Sequence, residues 1–200
     1  CRITKFPKLL ETTHQLIYLY GNVKLHKSNC PVRPIISQRP APTFQLAKPI
    51  NRMIVPYLPS RYSLQSTTDF VGRMRTVDNT NGLMVKLDAE SLFTNVPVND
   101  TIDIILDCVF KNKSLKPPPV KQNIVKEILR LCTLNTPFLH PNGDLYIQTD
   151  GVAMGSPLGP TFAEFYMSYV ENKVSTSIKP PKLYAGYIDD IFVLCHDMSE

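Results

Sequence analysis

The sequence predicts an α+β fold built on an antiparallel sheet, and three observations carry the prediction. Several short runs alternate apolar and polar residues, while others repeat their apolar positions at helical spacing. These runs follow one another as strand pair, helices, strand, helices, hairpin, helix and hairpin. At 43% apolar and 20% charged residues over 200 positions, the chain has the composition of one domain, or one domain with subdomains, around a buried core.

Residues 16–38, "LIYLYGNVKLHKSNCPVRPIISQ", alternate as two strands joined by a polar turn around Ser28 and Asn29. Lys24, His26, Lys27 and Arg33 fall on or near that hairpin. "RPAP" then breaks the pattern, and Leu46, Ile50, Ile54 and Tyr57 mark a helix over 44–57. Pro49 is expected near its start, where a missing N–H is best tolerated. Phe70, Val71, Met74 and Val77 repeat the helical signal over 68–77. "GLMVKLDAESLF" reads as a buried strand that runs into Asp88. Asn99 or Asp100 is placed to cap a helix with the apolar face Ile102, Ile105, Leu106 and Val109. Beyond the prolines at 117–119, another helix runs through Ile124, Ile128, Leu131 and Cys132. "PFLHPNGDLYIQ" is a hairpin around Asn142-Gly143. "GSPLGP" leads into a helix bearing Phe162, Phe165, Tyr166, Tyr169 and Val170, with Pro157 at its start, and the chain closes as strand, Asp189-Asp190, strand.

Charge is unevenly spread. Residues 1–86 hold thirteen Lys or Arg and three acids (Glu11, Asp69, Asp78), whereas acids concentrate from Asp88 onward. A basic half facing an acidic centre suits a polyanion held over metal ions, although a solvated basic face gives the same count. Five scattered cysteines (1, 30, 108, 132, 195) match neither a disulfide frame nor a zinc pattern and imply reduced thiols inside a cell. No run of 18 apolar residues occurs, so no membrane span or membrane partner is expected. The first residue is Cys and no signal pattern follows, so the chain is expected to be a piece of a longer one.

"YAGYIDDIFVLC", residues 184–195, sets two acids inside an apolar run, where charge is expensive unless compensated. Asp88 ends another apolar strand in the same way. Were the strands neighbours, carboxylates would face each other, raising a pKa and costing stability that a hard divalent cation relieves. The plain alternative for Asp189-Asp190 is a hairpin turn, where Asp is common.

The company of these acids favours the first reading. "YIDD" between apolar strands, "VKLDAESLF" upstream and "GVAMGSPLGP" before a helix resemble, in order, the catalytic motifs of reverse transcriptases. "YGNVKLHKSNCPVRPIIS" resembles the fingers hairpin of those enzymes. "LDAESLFTNVPV", "MGSPLGP" and "KLHK…RPIIS" are most similar to the Penelope-like retroelement branch, which is related to telomerase. The resemblance runs from about Tyr18 to Leu194.

It implies a right-hand polymerase palm and fingers with an antiparallel palm sheet, the thumb missing. Fingers would occupy mainly 18–86 and 111–147, and palm mainly 87–110 and 148–200, after the end of an N-terminal extension at 1–17. It implies a nucleotidyltransferase, an RNA-directed DNA polymerase, whose partners are an RNA template, a DNA primer and dNTPs, working inside the cell and in the nucleus. Asp88 and Asp189 would hold two Mg²⁺ ions (Mn²⁺ being an alternative) with the Ala89 carbonyl, and Asp190 would add charge. Arg33 and either Lys24 or Lys27 would grip the triphosphate, Arg33 by a bidentate contact that lysine cannot make. Phe93 would block a ribose 2′-hydroxyl, Gln148 would join the nucleotide site, and Gly151, Gly155, Ser156 and Pro157 would lie under the nascent base pair and template. Tyr187 would pack near the primer end. Each has an ordinary counterpart: exposed hairpin lysines, a core Phe93, a plain turn before a helix, a strand tyrosine. In this reading the acid pair is compensated by metal and substrate and by no protein cation.

The resemblance also departs in places. Val23 stands where the family usually has proline, and only ten residues follow Asp190, without the further lysine-bearing motif, primer grip, thumb or GIY-YIG endonuclease. A catalytic core cut short, inactive alone, is therefore expected, with a non-catalytic remnant that at most binds nucleic acid as the competing reading.

Overall fold

Two sheets carry the strands of the described residues. The computed structural model describes residues 3–6, 17–25, 28–39, 41–59, 61–77, 82–112, 114–175 and 180–196. β1 (Ile3–Phe6), β2 (Tyr18–Val23), β3 (Val32–Ser37), β5 (Pro137–Leu139) and β6 (Leu145–Gln148) form one sheet in the order β1-β6-β5-β2-β3. β4 (Leu83–Asp88), β7 (Leu183–Tyr187) and β8 (Asp190–Cys195) form the other, in the order β4-β8-β7. All strand pairs are antiparallel except β2 with β5, which meet at Tyr18 and Leu139. The α+β class read from the sequence is the class observed.

Among the described residues there are six α-helices: α1 (Pro42–Ile54), α2 (Thr67–Arg75), the single turn α3 (Leu92–Asn95), α4 (Val98–Phe110), α5 (Gln122–Thr133) and α6 (Gly159–Ser175). The main core lies where α1, α4, α5 and α6 turn their apolar stripes together, with Ile54, Ile105, Leu129, Phe162 and Phe165 out of contact with water. A smaller cluster, Ile17, Ile36, Ala41 and Phe138, backs the five-stranded sheet. None of these helices is long and apolar enough to cross a membrane.

Several local expectations change. Pro49 lies inside α1, and the proline at the helix start is Pro42. The interior proline removes a bond to the carbonyl four residues back, but Pro49 and Gln45 both face solvent, where water can satisfy that oxygen. Neither Asn99 nor Asp100 caps α4, which starts earlier, behind Pro97; the Thr101 hydroxyl donates to the Pro97 carbonyl at 2.7 Å. α5 buries Val125, Leu129 and Cys132, while Ile124 and Leu131 point outward. Its true stripe is one position out of phase with the larger aliphatics. In α6, Tyr169 is likewise exposed. α6 begins at Gly159, because Ser156 Oγ accepts from the Leu158 N–H and keeps Pro157 in a turn before the helix. β4 is not a buried strand: it edges its sheet and leaves Leu83, Met84 and Leu87 exposed.

The "PNG" hairpin forms as expected. β5 and β6 pair from Pro137↔Ile147 to Leu139↔Leu145, and Gly143 takes the left-handed conformation (φ +84°) that closes the loop. We expect Phe162→Ala to lower stability by about 3–5 kcal/mol and Leu131→Ala by less than about 0.5 kcal/mol in urea unfolding, since only the first leaves a cavity.

Candidate active site: a carboxylate-bearing strand edge

The register of β4 against β8 decides the site. The two strands pair from Leu83↔Cys195 to Asp88↔Asp190, so residues 88 and 190 face each other across the ladder. β7 pairs back from Tyr187↔Asp190, which leaves Ile188 and Asp189 as a two-residue turn. The Ala89 N–H donates to the Asp189 carbonyl at 2.8 Å, tying the turn to the end of β4. Asp88, Ala89, Asp189 and Asp190 thus converge at one sheet edge, although a hundred positions separate the first from the last two.

Ile188 takes φ +57°, a left-handed conformation that costs a β-branched residue about 1–3 kcal/mol. A positive φ at the first turn position matches the twist of the strands. The isoleucine side chain packs against the main core, which offsets the strain and fixes the turn.

A protein cation does compensate the pair, contrary to the expectation. Lys86 Nζ lies 2.8 Å from Asp190 Oδ1. The period-two alternation of β4 puts Lys86 on the same face as Asp88, and the cross-strand register adds Asp190. Hydrogen bonding to Asp190 raises the Lys86 pKa, reinforced by the charges of Asp190, Asp88 and Asp189. Asp88 and Asp190 are exposed and Asp189 is half-buried, so water still screens the acids.

Behind the turn, a set of contacts that sequence reasoning missed supports β7. Leu64 N–H donates to the Gly186 carbonyl and Gly186 N–H to the Tyr62 carbonyl, at 2.8 and 2.9 Å, so residues 62–64 flank the strand. Arg73 on α2 grips that segment through the Ser63 carbonyl at 2.8 Å, while its guanidinium pairs with Asp69 at 2.9 Å. Glu171 on α6 hydrogen-bonds Tyr184; burial pushes the Glu171 carboxyl up, partly opposed by that bond, and burial with the nearby carboxylate pushes the Tyr184 phenol up. This pair lines an apolar cavity of about 480 Å³ between α6 and the underside of the sheet, walled by Leu87, Met167, Val170 and Ile191. An Arg four residues after an Asp was the one legible signal among them.

The remaining candidates lie on α3 and the glycine loop, on β6, on the β2–β3 hairpin and at the end of β7. Phe93, on α3, is half-buried; its carbonyl accepts from the Val152 N–H at 2.8 Å and its ring lies near Gly159. Gly151 (φ +75°) crosses so closely over Phe93 and Thr94 that a Cβ would overlap their backbone. Gly155 bridges to Ser37 at the end of β3, where a Cβ would run into the Ile36 carbonyl. The loop 151–158 therefore joins the five-stranded sheet to the helix bearing Phe93, with Ser156 buried and Pro157 in its turn. Gln148, on β6, spends its side-chain amide on the Asp150 carbonyl at 2.8 Å. Arg33 stands exposed on β3 opposite Asn22, about 13 Å along the strand from Ser37. Lys24 closes the β2–β3 hairpin, its N–H donating to the Pro31 carbonyl at 3.0 Å. Tyr187 is exposed beside Leu64 and Phe70. Lys27 lies outside the described residues.

Among the described residues, no three His, Cys, Asp or Glu side chains are gathered to hold an ion by themselves. Two carboxylates at a strand edge, Asp88 exposed and Asp189 half-buried, suit an ion that completes its shell with water and phosphate oxygens, which is how Mg²⁺ is usually bound. The donor set fits such an ion and no softer one.

A strand-edge carboxylate site on a small antiparallel sheet, joined by a glycine loop to a basic hairpin, is the arrangement of a polymerase palm with its fingers. Solved structures share the fold. Apo telomerase of Candida tropicalis superposes with a TM-score of 0.71 at 15% identity, covering 98% of this chain and 42% of that one. The telomerase of Candida albicans in complex with a TWJ fragment of telomeric RNA gives a TM-score of 0.68 at 12% identity, over 98% of this chain and 39% of that one. This chain thus spans less than half the length of the telomerase chains it matches. No curated protein matches its sequence. The family model "Reverse transcriptase (RNA-dependent DNA polymerase)" matches residues 26–200, and the chain belongs to that family.

Gly155→Ala should destabilise the fold by more than about 2 kcal/mol, because backbone atoms of Ile36 must move. Gly72→Ala, in α2 with open space around it, should instead stabilise by about 0.5–1 kcal/mol. Thermal unfolding of both variants tests the contrast.

Proposed function

We propose that the chain is the catalytic core of an RNA-directed DNA polymerase of the Penelope-like type, extending a DNA primer on an RNA template with dNTPs. The observation that carries the reading is the meeting of Asp88 with Asp189 and Asp190 at one strand edge in a chain of this family. Asp88, Asp189 and the Ala89 carbonyl would hold two Mg²⁺ ions, and Asp190 would add charge beside them. When bound, such ions activate the primer 3′-hydroxyl and neutralise the departing pyrophosphate. The chain's own residues do the rest. Arg33, with Lys24 or Lys27, grips the triphosphate; a planar guanidinium does this in bidentate fashion. Phe93 presents its ring where a ribose hydroxyl would clash, Gln148 lies at the edge of the nucleotide site, and Gly151, Gly155, Ser156 and Pro157 give the base pair a close backbone floor. Tyr187, exposed beside the turn, packs against the primer end.

The activity is expected of the chain with a thumb following residue 200, and the 200 residues alone are expected to extend no primer. In the restored protein, Mg²⁺-dependent extension on an RNA template should fall at least about a hundredfold with Asp88→Asn or Asp189→Asn, roughly 2.7 kcal/mol in the barrier. Unchanged extension would remove the site assignment; no extension by any form would leave the nucleic-acid-binding remnant. Phe93→Ala should raise incorporation of ribonucleotides relative to deoxyribonucleotides in the same assay, and an unchanged ratio would reduce Phe93 to a packing role.

A further inference from the structure

Lys86 is a cation on the face that carries the acids, and the metal chemistry proposed above has no use for one. Its place does not depend on a flexible contact. β4 presents Met84, Lys86 and Asp88 on one face by alternation, and the register places Phe192 opposite Lys86 and Asp190 opposite Asp88. Asp190 is therefore the diagonal neighbour of Lys86 across the ladder, and the 2.8 Å contact from Nζ to Oδ1 closes that diagonal. Both side chains are more than half exposed, so the pair adds little to stability. Its consequence is local charge.

We infer that Lys86 is a positioning residue that neutralises Asp190 and withholds it from the metal ligands, so that the site presents the charge of two carboxylates, Asp88 and Asp189. This rests on the metal reading of Asp88 and Asp189, and it replaces the added charge that the same reading gives to Asp190. Without Lys86 the edge would carry three negative charges, and a divalent ion would bind more tightly. Hard cations that must be released at each cycle are poorly served by a surplus of anionic oxygen. Magnesium in particular keeps several waters and takes only one or two carboxylates when phosphates supply the rest. A lysine two residues before Asp88 sets that balance, because period-two geometry keeps it on the acid face at whatever rotamer it adopts.

The test is Mn²⁺ binding to the 200-residue chain, read from the electron paramagnetic resonance signal of the free ion, with no polymerase activity required. Lys86→Met should bind Mn²⁺ about three- to tenfold more tightly than the unaltered chain, as expected for a unit charge removed several ångströms from a divalent ion near solvent. Lys86→Arg should leave the affinity unchanged. Asp190→Asn should weaken binding by a similar factor, since Lys86 then stands uncompensated. The double variant Lys86→Met with Asp190→Asn should return to the original affinity, because the neutral pair has been replaced by two neutral side chains. Equal affinity of Lys86→Met and the unaltered chain overturns the inference. So does a double variant as weak as Asp190→Asn alone, which would make Asp190 a direct ligand. An unaltered chain that binds no Mn²⁺ overturns the metal reading of Asp88 and Asp189 and the role of Lys86 with it.

Discussion

The pairing of β4 with β8 is the constraint on which the rest depends. Six consecutive backbone partners bring Asp88 level with Asp190, and like charges at that spacing repel. The ladder can hold them only because other terms are larger. Leu194 and Ile191 of β8 are buried, the Ile188 side chain packs against the main core, and Ala89 N–H locks the turn from the far side. Slipping the register by one residue would move Asp88 and Lys86 to the underside together, facing the apolar cavity below the sheet. That alternative would bury charge without a partner, so the hydrophobic pattern and the placement of the acids enforce the same alignment.

Support for the acid-bearing edge is layered outward from this ladder. Gly186 exchanges backbone hydrogen bonds with Tyr62 and Leu64, Arg73 fixes the carbonyl of Ser63, and Asp69 fixes Arg73. α6 reaches the same strand through Glu171 and Tyr184. The glycine loop performs a parallel task on the other side, where Gly151 and Gly155 allow backbone to pass against Phe93 and Ile36 at a separation no side chain permits. The five-stranded sheet and α3, which follows β4 in the chain, are thus joined through main chain, which holds position better than long side chains would.

Much of this was legible in the chain. Local signals worked where the physics is local: the Asn142-Gly143 turn, the alternation of β2 and β3, and the apolar stripe of α4 all formed where periodicity put them. The acids could be seen together because each followed a run of β-formers, and the ordered motifs supplied their pairing. What could not be read was set by distant partners. Whether β4 is buried depends on what covers its edge, and whether Lys86 meets Asp190 depends on a register between segments a hundred residues apart. α5 chose Val125 and Leu129 over Ile124 and Leu131 because the facing helices select a stripe and the count of aliphatics does not. Pro49 is tolerated mid-helix only through the solvent exposure of one carbonyl neighbourhood, a property of the folded surface.

The edge position of β4 has a material consequence. Among the described residues no strand pairs with the outer margin of β4, and with Leu83, Met84 and Leu87 exposed that margin offers backbone groups and greasy side chains to an extended peptide. Such a border is sticky, and it would zip onto its own kind in a concentrated solution. Soluble handling of these 200 residues therefore calls for dilution, or for a cover over that border.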